Sequence, residues 1–117
     1  MTTEHARGGA LEALERVLNR GGDADDVLRA TVRVLHGLYR YVGIDFVEGP
    51  ALATGPALGN ASQAERRYPI RFDGARVAEL VVGGAGSEDD AFLERVATIV
   101  SPYCLVGWDT GGEAWAP

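Results

Sequence analysis

The chain has 117 residues, enough for one compact domain but too few for a second folded unit with its own core. Its formal net charge of -6 argues against nucleic acid as a partner, because binding a phosphate backbone requires concentrated positive charge. The 11 residues in the lysine and arginine total are all arginine, which excludes Schiff-base chemistry and a P-loop lysine.

The cysteine and histidine content sets further limits. Cys104 is the only cysteine, so neither an intramolecular disulfide nor a thiolate metal cluster can form, and we expect a buried core thiol. His5 and His36 lack ligand spacing, and we expect neither a metal nor a cofactor. No apolar run follows a basic segment at the start, so we expect no signal peptide, no membrane span and a cytoplasmic protein.

Two amphipathic helices are predicted in the first third of the chain. Residues 1–9 predict a flexible lead-in, and the domain is predicted to run from residue 10 to residue 108. The first helix has apolar residues at helical spacing: Leu11, Leu14, Val17 and Leu18. Gly21 and Gly22 predict its end, Asp23 offers an N-cap for the second helix, and that helix is predicted to run to about Gly37.

The period then changes to two, which predicts strands. In residues 39–48, Val42, Ile44 and Phe46 share one face, and Tyr41, Gly43 and Asp45 share the other. Residues 51–54 predict a return strand that ends near Gly55 and Pro56, and residues 60–66 predict a short connection. Residues 68–72 and 76–82 predict a hairpin around Asp73-Gly74. We therefore predict a four-strand antiparallel meander within a sheet of about four to five strands.

The last predicted element is a helix. Ser87 is a candidate N-cap, with Asp90 placed to complete a capping box. Its buried stripe consists of Phe92, Val96, Ile99, Val100 and Tyr103. Pro102 is expected to kink or end the helix, and residues 109–117 are expected to form a loose tail.

This order of elements resembles that of a GAF domain, the small-molecule sensor module of many signalling proteins. Residues 68–70 and 73–80 look like the family's strand, turn and strand, and the segment from Phe92 looks like its closing helix. The resemblance implies an α+β fold with the N-terminal and C-terminal helices packed on one face of an antiparallel sheet. It also implies a homodimer formed through the first and last helices. The sequence supports that dimer with more apolar residues than one side of a short helix can bury: Val100, Tyr103, Leu105, Val106 and Trp108.

Residues 41–46 and 55–59 are similar to the first hairpin of the free methionine-(R)-sulfoxide reductases, a catalytic branch of the GAF family. That branch acts through several cysteines between its two hairpins, whereas residues 60–66 contain none. A thiol reductase requires a thiolate nucleophile and a resolving thiol, and this chain has one cysteine in all. We therefore expect no enzymatic activity. The same short segment leaves out the helices that roof the pocket in GAF domains.

The face of the sheet that looks into the pocket in GAF domains supplies the candidate ligand-binding residues. They are Tyr41, Asp45, Thr54, Arg71 and Glu79. Carboxylates that converge there would bind a cationic or hydrogen-bonding ligand; the alternative is an ordinary solvated sheet face, on which alternating polar residues are common. At the level of function, the expectation is a regulatory or small-molecule-sensing module. The alternatives are a degenerate scaffold for protein interaction and an enzyme that uses Asp45 and Glu79 as an acid/base pair.

Overall fold

Four antiparallel strands form one sheet in the order β2-β1-β4-β3. The computed structural model describes residues 3–60 and 65–104, with side chains from residue 6 onward. The helices are α1 (Thr3–Arg20), α2 (Ala24–His36) and α3 (Asp90–Val100). The strands are β1 (Tyr41–Glu48), β2 (Ala51–Gly59), β3 (Glu65–Phe72) and β4 (Ala75–Gly83). Short 3-10 turns, Ser87–Asp89 and Ser101–Cys104, flank α3.

The strand order corrects the predicted meander. The four antiparallel strands and both hairpins are present, but β4 inserts between β1 and β3 instead of lying at the edge beyond β3. The pairing of β1 with β4 joins residues more than thirty positions apart, for example Ile44 and Leu80. A hairpin turn leaves a local signal in the sequence, whereas a pairing between distant strands leaves none.

The core lies between the sheet and the helices, as the predicted α+β fold requires. The face of β1 that carries Val42, Ile44 and Phe46 is buried, and so are the alternate residues of β4 beside it. The helices contribute Leu28 and Leu35 from α2 together with Leu93, Val96 and Val100 from α3. Cys104 is buried in this cluster, and burial raises the pKa of its thiol to about 12. The expectation of a buried core thiol is confirmed.

The predictions for the ends of the helices are confirmed at α2 and wrong at the starts of α1 and α3. Asp23 caps α2 as predicted, since its Oδ1 accepts a hydrogen bond from the Asp26 amide at 2.9 Å. However, α1 begins at Thr3 and not at Ala10, so residues 3–9 are helical and not a lead-in. Ser87 does not cap α3 directly, because the 3-10 turn precedes the helix. Residues 105–117, including the predicted tail, lie outside the described residues.

The early start of α1 has a tertiary cause. Two glycines inside a helix each disfavour it by about 1 kcal/mol relative to alanine, and Gly8 and Gly9 lie here. Opposing that cost, Arg7 donates two hydrogen bonds to Asp89 Oδ1, from Nε at 3.1 Å and from Nη2 at 2.8 Å. This ion pair stabilises the first turns of α1 against the start of α3, far away in the sequence.

Asp89 is the buried centre of that contact, with 4% of the residue exposed. Tyr39 donates its hydroxyl to Oδ1 at 2.8 Å, and the Gly86 amide donates to Oδ2 at 2.9 Å. Burial acts to raise the pKa of Asp89, but the bonds from Gly86, Arg7 and Tyr39 outweigh it and hold that pKa below its usual value. Both carboxylate oxygens are therefore satisfied.

The neighbouring Asp90 makes a matching contact on β3. Tyr68 donates its hydroxyl to Oδ1 at 2.7 Å, and Arg66 donates from Nε to Oδ1 and from Nη2 to Oδ2. The hydrogen bonds from Tyr68 and Arg66 lower the pKa of Asp90. Burial and the bond to Asp90 raise the pKa of Tyr68 to about 12. The start of α3 is thereby attached to β3 as well as to α1.

The second strand is longer than predicted and contains a bulge. It runs to Gly59, and its register with β1 shifts between Gly43 and Asp45, where β2 carries one extra residue. Gly55 lies at this bulge, and a Cβ there would contact the Phe46 ring and lie 2.7 Å from the Ile44 carbonyl oxygen. Pro56 beside it is tolerated because β2 is an edge strand.

Replacing Gly55 by alanine is expected to lower the free energy of unfolding by about 1–3 kcal/mol, because the added methyl overpacks the bulge. Gly8→Ala is the matched control, since nothing lies within 4 Å of a Cβ there. In a helix it should raise stability by about 0.5–1 kcal/mol. Urea denaturation measures both. Unchanged stability of the Gly55 variant would contradict the close approach.

Asp89→Asn is expected to lower the free energy of unfolding at pH 7 by about 2 kcal/mol, because hydrogen bonds to a charged group are lost. The pKa of Asp89 is depressed in the folded state, so its stabilisation is present above the unfolded value of about 3.9 and is lost as pH falls through the folded value. The variant should therefore lose less stability than the wild type between pH 5 and pH 2. Equal losses in urea titrations, with the exposed Glu12→Gln as control, would contradict this role.

Candidate functional site

The face of the sheet that points away from the helices, here called the distal face, is fixed by the β1–β4 register. Asp45 lies opposite Glu79, and Gly43 lies opposite Val81. Since alternate residues of these strands pack into the core, the intervening ones lie on the distal face. This is the face on which the candidate ligand-binding residues were expected.

Arg67 of β3 gathers three carboxylates on the distal face. Its Nη1 donates to Glu79 Oε1 at 2.9 Å and to Asp45 Oδ2 at 3.2 Å, and its Nη2 lies 3.7 Å from Glu65 Oε1. The hydrogen bond to Glu79 is the largest of the effects that raise the pKa of Arg67. The guanidinium side chain is 46% exposed, while those of Asp45 and Glu79 are 16% and 12% exposed. We call these four residues, with Arg76, the Arg67 cluster.

Arg76 completes the cluster by a bond to the second oxygen of Glu79, at 2.6 Å from Nη1 to Oε2. Residues three apart on a regular strand point to opposite faces. Here the register of β3 and β4 shifts between Ile70 and Arg71, and the extra residue on β4 brings Arg76 to the side of Glu79. The bulge is therefore what allows both oxygens of Glu79 to be paired.

Tyr41 lies beside the cluster. A Cβ on Gly43 would lie 2.7 Å from the Tyr41 hydroxyl oxygen and 3.2 Å from the Ala57 Cβ, so the glycine leaves room for the phenol over β1. Burial, followed by the negative charges of Asp45 and Glu65, raises the pKa of Tyr41. A neutral phenol at this position is a hydrogen-bond donor and acceptor next to a charged network.

The structure brings together four of the five predicted site residues. Tyr41, Asp45 and Glu79 are near one another, and Thr54 is the exposed β2 partner of Asp45. Arg71 is exposed on β3 opposite Arg76, beyond the register shift, and enters none of the ion pairs found among the described residues. No ligand contact tests these five residues, so their role in binding stays a prediction.

Three members of the cluster were missed by sequence reasoning: Glu65, Arg67 and Arg76. The third strand was predicted to begin at Tyr68, which placed Glu65 and Arg67 in or next to a connection. A signal was available, because Arg67, Pro69 and Arg71 alternate with the apolar Tyr68 and Ile70. Arg76 was predicted as a strand residue, but the face of the sheet on which it lies depends on a bulge that leaves no signal in the sequence.

The cluster is nearly neutral, which limits its chemistry. Three carboxylates and two guanidinium groups leave one net negative charge, and all three carboxylates lie within 3.7 Å of an arginine nitrogen. A cationic ligand would therefore compete with Arg67 for Asp45 and Glu79. Within residues 3–60 and 65–104, no group of three or more histidine, cysteine, aspartate or glutamate side chains is arranged to hold a metal ion.

Comparison with solved structures identifies the fold. The GAF domain from a phosphoenolpyruvate-protein phosphotransferase of Coxiella burnetii matches with a TM-score of 0.72 and 10% sequence identity. The match covers 87% of this chain and 94% of that one. The protein therefore has the fold of a GAF domain, which confirms the resemblance drawn from the sequence. Searches with family models and among curated proteins found no match.

Among the described residues, no helix combines the length and the apolar character needed to cross a membrane.

Glu79→Gln is expected to lower the free energy of unfolding by about 1 kcal/mol, because the partly exposed pairs with Arg67 and Arg76 lose their charge. A double-mutant cycle with Arg67→Gln should return a favourable coupling of about 0.5 kcal/mol or more. Glu94→Gln, on the exposed side of α3, is the control and should change stability by less than about 0.5 kcal/mol. A coupling of zero in urea denaturation would show that the pair of Arg67 and Glu79 adds nothing to folding.

Proposed function

We propose that this protein is a non-enzymatic regulatory module that senses a small polar ligand on its distal face. The observation that carries the proposal is the Arg67 cluster, in which one exposed guanidinium holds Asp45 and Glu79 together. The cluster occupies the face that looks into the pocket in GAF domains. The cluster has one net negative charge, and the phenol of Tyr41 lies beside it. Both features suit a small cation or zwitterion, such as an amine or an amino acid.

The ligand would act by exchanging with Arg67. A ligand ammonium group that bonds to Asp45 and Glu79 replaces the two contacts of Arg67 Nη1, and Arg67 then moves toward solvent. A ligand can shift an equilibrium only by its differential affinity for two states, and here the two states are Arg67 bound and Arg67 released.

A chain of contacts from the Arg67 cluster to the helices begins at Arg66. Arg66, adjacent to Arg67 on β3, points to the other side of the sheet and bonds to Asp90 at the start of α3. The preceding Asp89 bonds to Arg7 of α1. A shift of β3 at Arg67 would therefore reach both helices through which a GAF-like homodimer is expected to form.

The five residues 60–64 between β2 and β3 are too few for roofing helices, so a second subunit or the ligand itself would shield the site.

A scaffold for protein interaction is the second candidate, and it is favoured by β2. This edge strand carries no charged residue, and its Leu52 and Leu58 are the large hydrophobic residues that are exposed within the described part of the chain. Uncharged edge strands are prone to pair with other strands. By contrast, no such side chain is exposed on the described residues of α1 or α3. Val100, which was expected to supply apolar surface for the dimer, is buried in the core, and Leu105, Val106 and Trp108 lie outside the described residues. The homodimer through those helices stays a prediction.

Thermal-shift screening with amines and amino acids tests the sensor proposal. A bound ligand at about 100 times its Kd should stabilise the fold by about 2.7 kcal/mol. Asp45→Asn should strongly reduce the response, since it removes one of the two negative charges that would bind the ligand cation. Asp73→Asn is the matched control, because Asp73 lies in the exposed hairpin turn at φ 53, a conformation that asparagine tolerates.

Two results would contradict the sensor. One is the absence of any response across the panel, and the other is an equal response from wild type and Asp45→Asn. Hydrogen exchange supplies the readout for the path to the helices: ligand should change protection at the start of α3, and Arg66→Gln should weaken that change while ligand still binds. The scaffold function is favoured instead if no compound in the panel binds, while Leu52→Asp and Leu58→Asp abolish self-association measured by analytical ultracentrifugation.

A further inference from the structure

A cleft between α2 and β2 is lined by both arginine and apolar side chains. It has a volume of about 260 Å³ and is lined by Arg29, Val32, Arg33, Pro56, Ala57 and Leu58. We call it the α2–β2 cleft. Its floor is apolar: Val32 is 1% exposed, and Pro56, Ala57 and Leu58 follow the bulge of β2. It does not include any member of the Arg67 cluster.

The charged residues that line this cleft are positive, although the chain as a whole is negative. Both charged residues of the lining are arginine, and no acidic residue lines it. Arg29 and Arg33 are four residues apart on α2, a spacing at which like charges on a helix repel. In a protein with a net charge of -6, a lining with two permanent cations and no acid is an unusual local arrangement.

The adjacent cleft between α1 and α2 extends the positive region. It has a volume of about 470 Å³ and shares Arg29 and Arg33 with the α2–β2 cleft. It adds Arg20 at the end of α1, with Asp26 as its single acidic residue. Within the described part of the chain, Arg20 and Arg33 form none of the ion pairs or side-chain hydrogen bonds that the other clusters use. Arg33, shared by both clefts, therefore has donors to offer.

His36 lies one helical turn beyond Arg33 and contacts the far end of β2. A Cβ on Gly59 would lie 2.9 Å from its Nε2, so the imidazole packs against the strand next to Leu58. Arg33 and His36 are both exposed on α2, with Arg33 in the lining of the cleft and His36 beyond it, against Gly59. Both groups can donate hydrogen bonds to an oxygen anion.

We propose that the α2–β2 cleft binds a small organic carboxylate, with its apolar body against Leu58 and Val32 and its carboxylate on Arg33. The planar fork of arginine matches a carboxylate with two parallel hydrogen bonds. The cleft is somewhat smaller than the roughly 300–1,000 Å³ pockets that hold drug-sized ligands, which restricts the body to about one ring or a short alkyl chain. This site is separate from the distal face and does not depend on the proposed sensing of a cation there.

Binding of benzoate to the full chain, followed by amide chemical shifts in ¹H–¹⁵N NMR spectra, tests the site. Benzoate should shift the amides of Val32, Ala57 and Leu58, and benzamide, which has the same shape without the charge, should bind at least about tenfold more weakly. Arg33→Gln should raise the benzoate Kd about tenfold, a loss of about 1.4 kcal/mol. Arg95→Gln, an exposed arginine on α3, is the matched control and should leave the Kd within about twofold.

Three outcomes would overturn the proposal: equal binding of benzoate and benzamide, an unchanged Kd in Arg33→Gln, or shifts confined to residues outside the cleft. Because Arg33 is exposed, its variant is expected to fold, and the dispersion of the same spectra verifies this. Leu58→Asp is a second variant, which places a negative charge in the lining of the cleft and should abolish benzoate binding. Asp45→Asn should leave benzoate binding unchanged, which separates this site from the one on the distal face.

Discussion

The pairing of β1 with β4 at the centre of the sheet determines both faces of the molecule. It buries Val42, Ile44 and Phe46 under the helices, and by the same alternation it places Asp45 beside Glu79 on the distal face. A slip of one residue would exchange every side chain between the two faces. The apolar core therefore fixes the register, and the register assembles the charged cluster. Neither Asp45 nor Glu79 needs to contribute to folding for the two to meet.

Two adjacent aspartates at the start of α3, Asp89 and Asp90, connect α3 to α1 and to β3. Asp89 bonds to Arg7 of α1 and to Tyr39, which lies between α2 and β1, and Asp90 bonds to Arg66 and Tyr68 of β3. Each acid thus holds one arginine and one tyrosine. An acidic run at a helix start has a simple explanation in the helix dipole and in capping. Here the same residues also make tertiary contacts, which explains why Asp89 is buried while Glu88 is exposed.

What could be predicted from the sequence was local. The faces of β1, the cap of α2 and the hairpin at Asp73-Gly74 follow from periodicity and turn chemistry, and all are present. The sheet order, the start of α1 and the partners of Glu79 depend on contacts between distant residues. Arg7 illustrates the difference, because its helical conformation is explained by an aspartate 82 positions away. For the same reason, the candidate site was predicted with its carboxylates and without the arginine that joins them.

The arginines of this lysine-free chain occupy two kinds of environment. Arg7, Arg66 and Arg67 bond to carboxylates and hold elements together, so their charge is compensated within the fold. On α2, in contrast, Arg33 lines a cleft whose lining contains no acidic residue. A compensated cluster binds a ligand only by giving up contacts that it already has, which lowers affinity and allows a conformational response. A surplus of positive charge binds an anion without such an exchange, and so it is suited to constitutive binding more than to signalling.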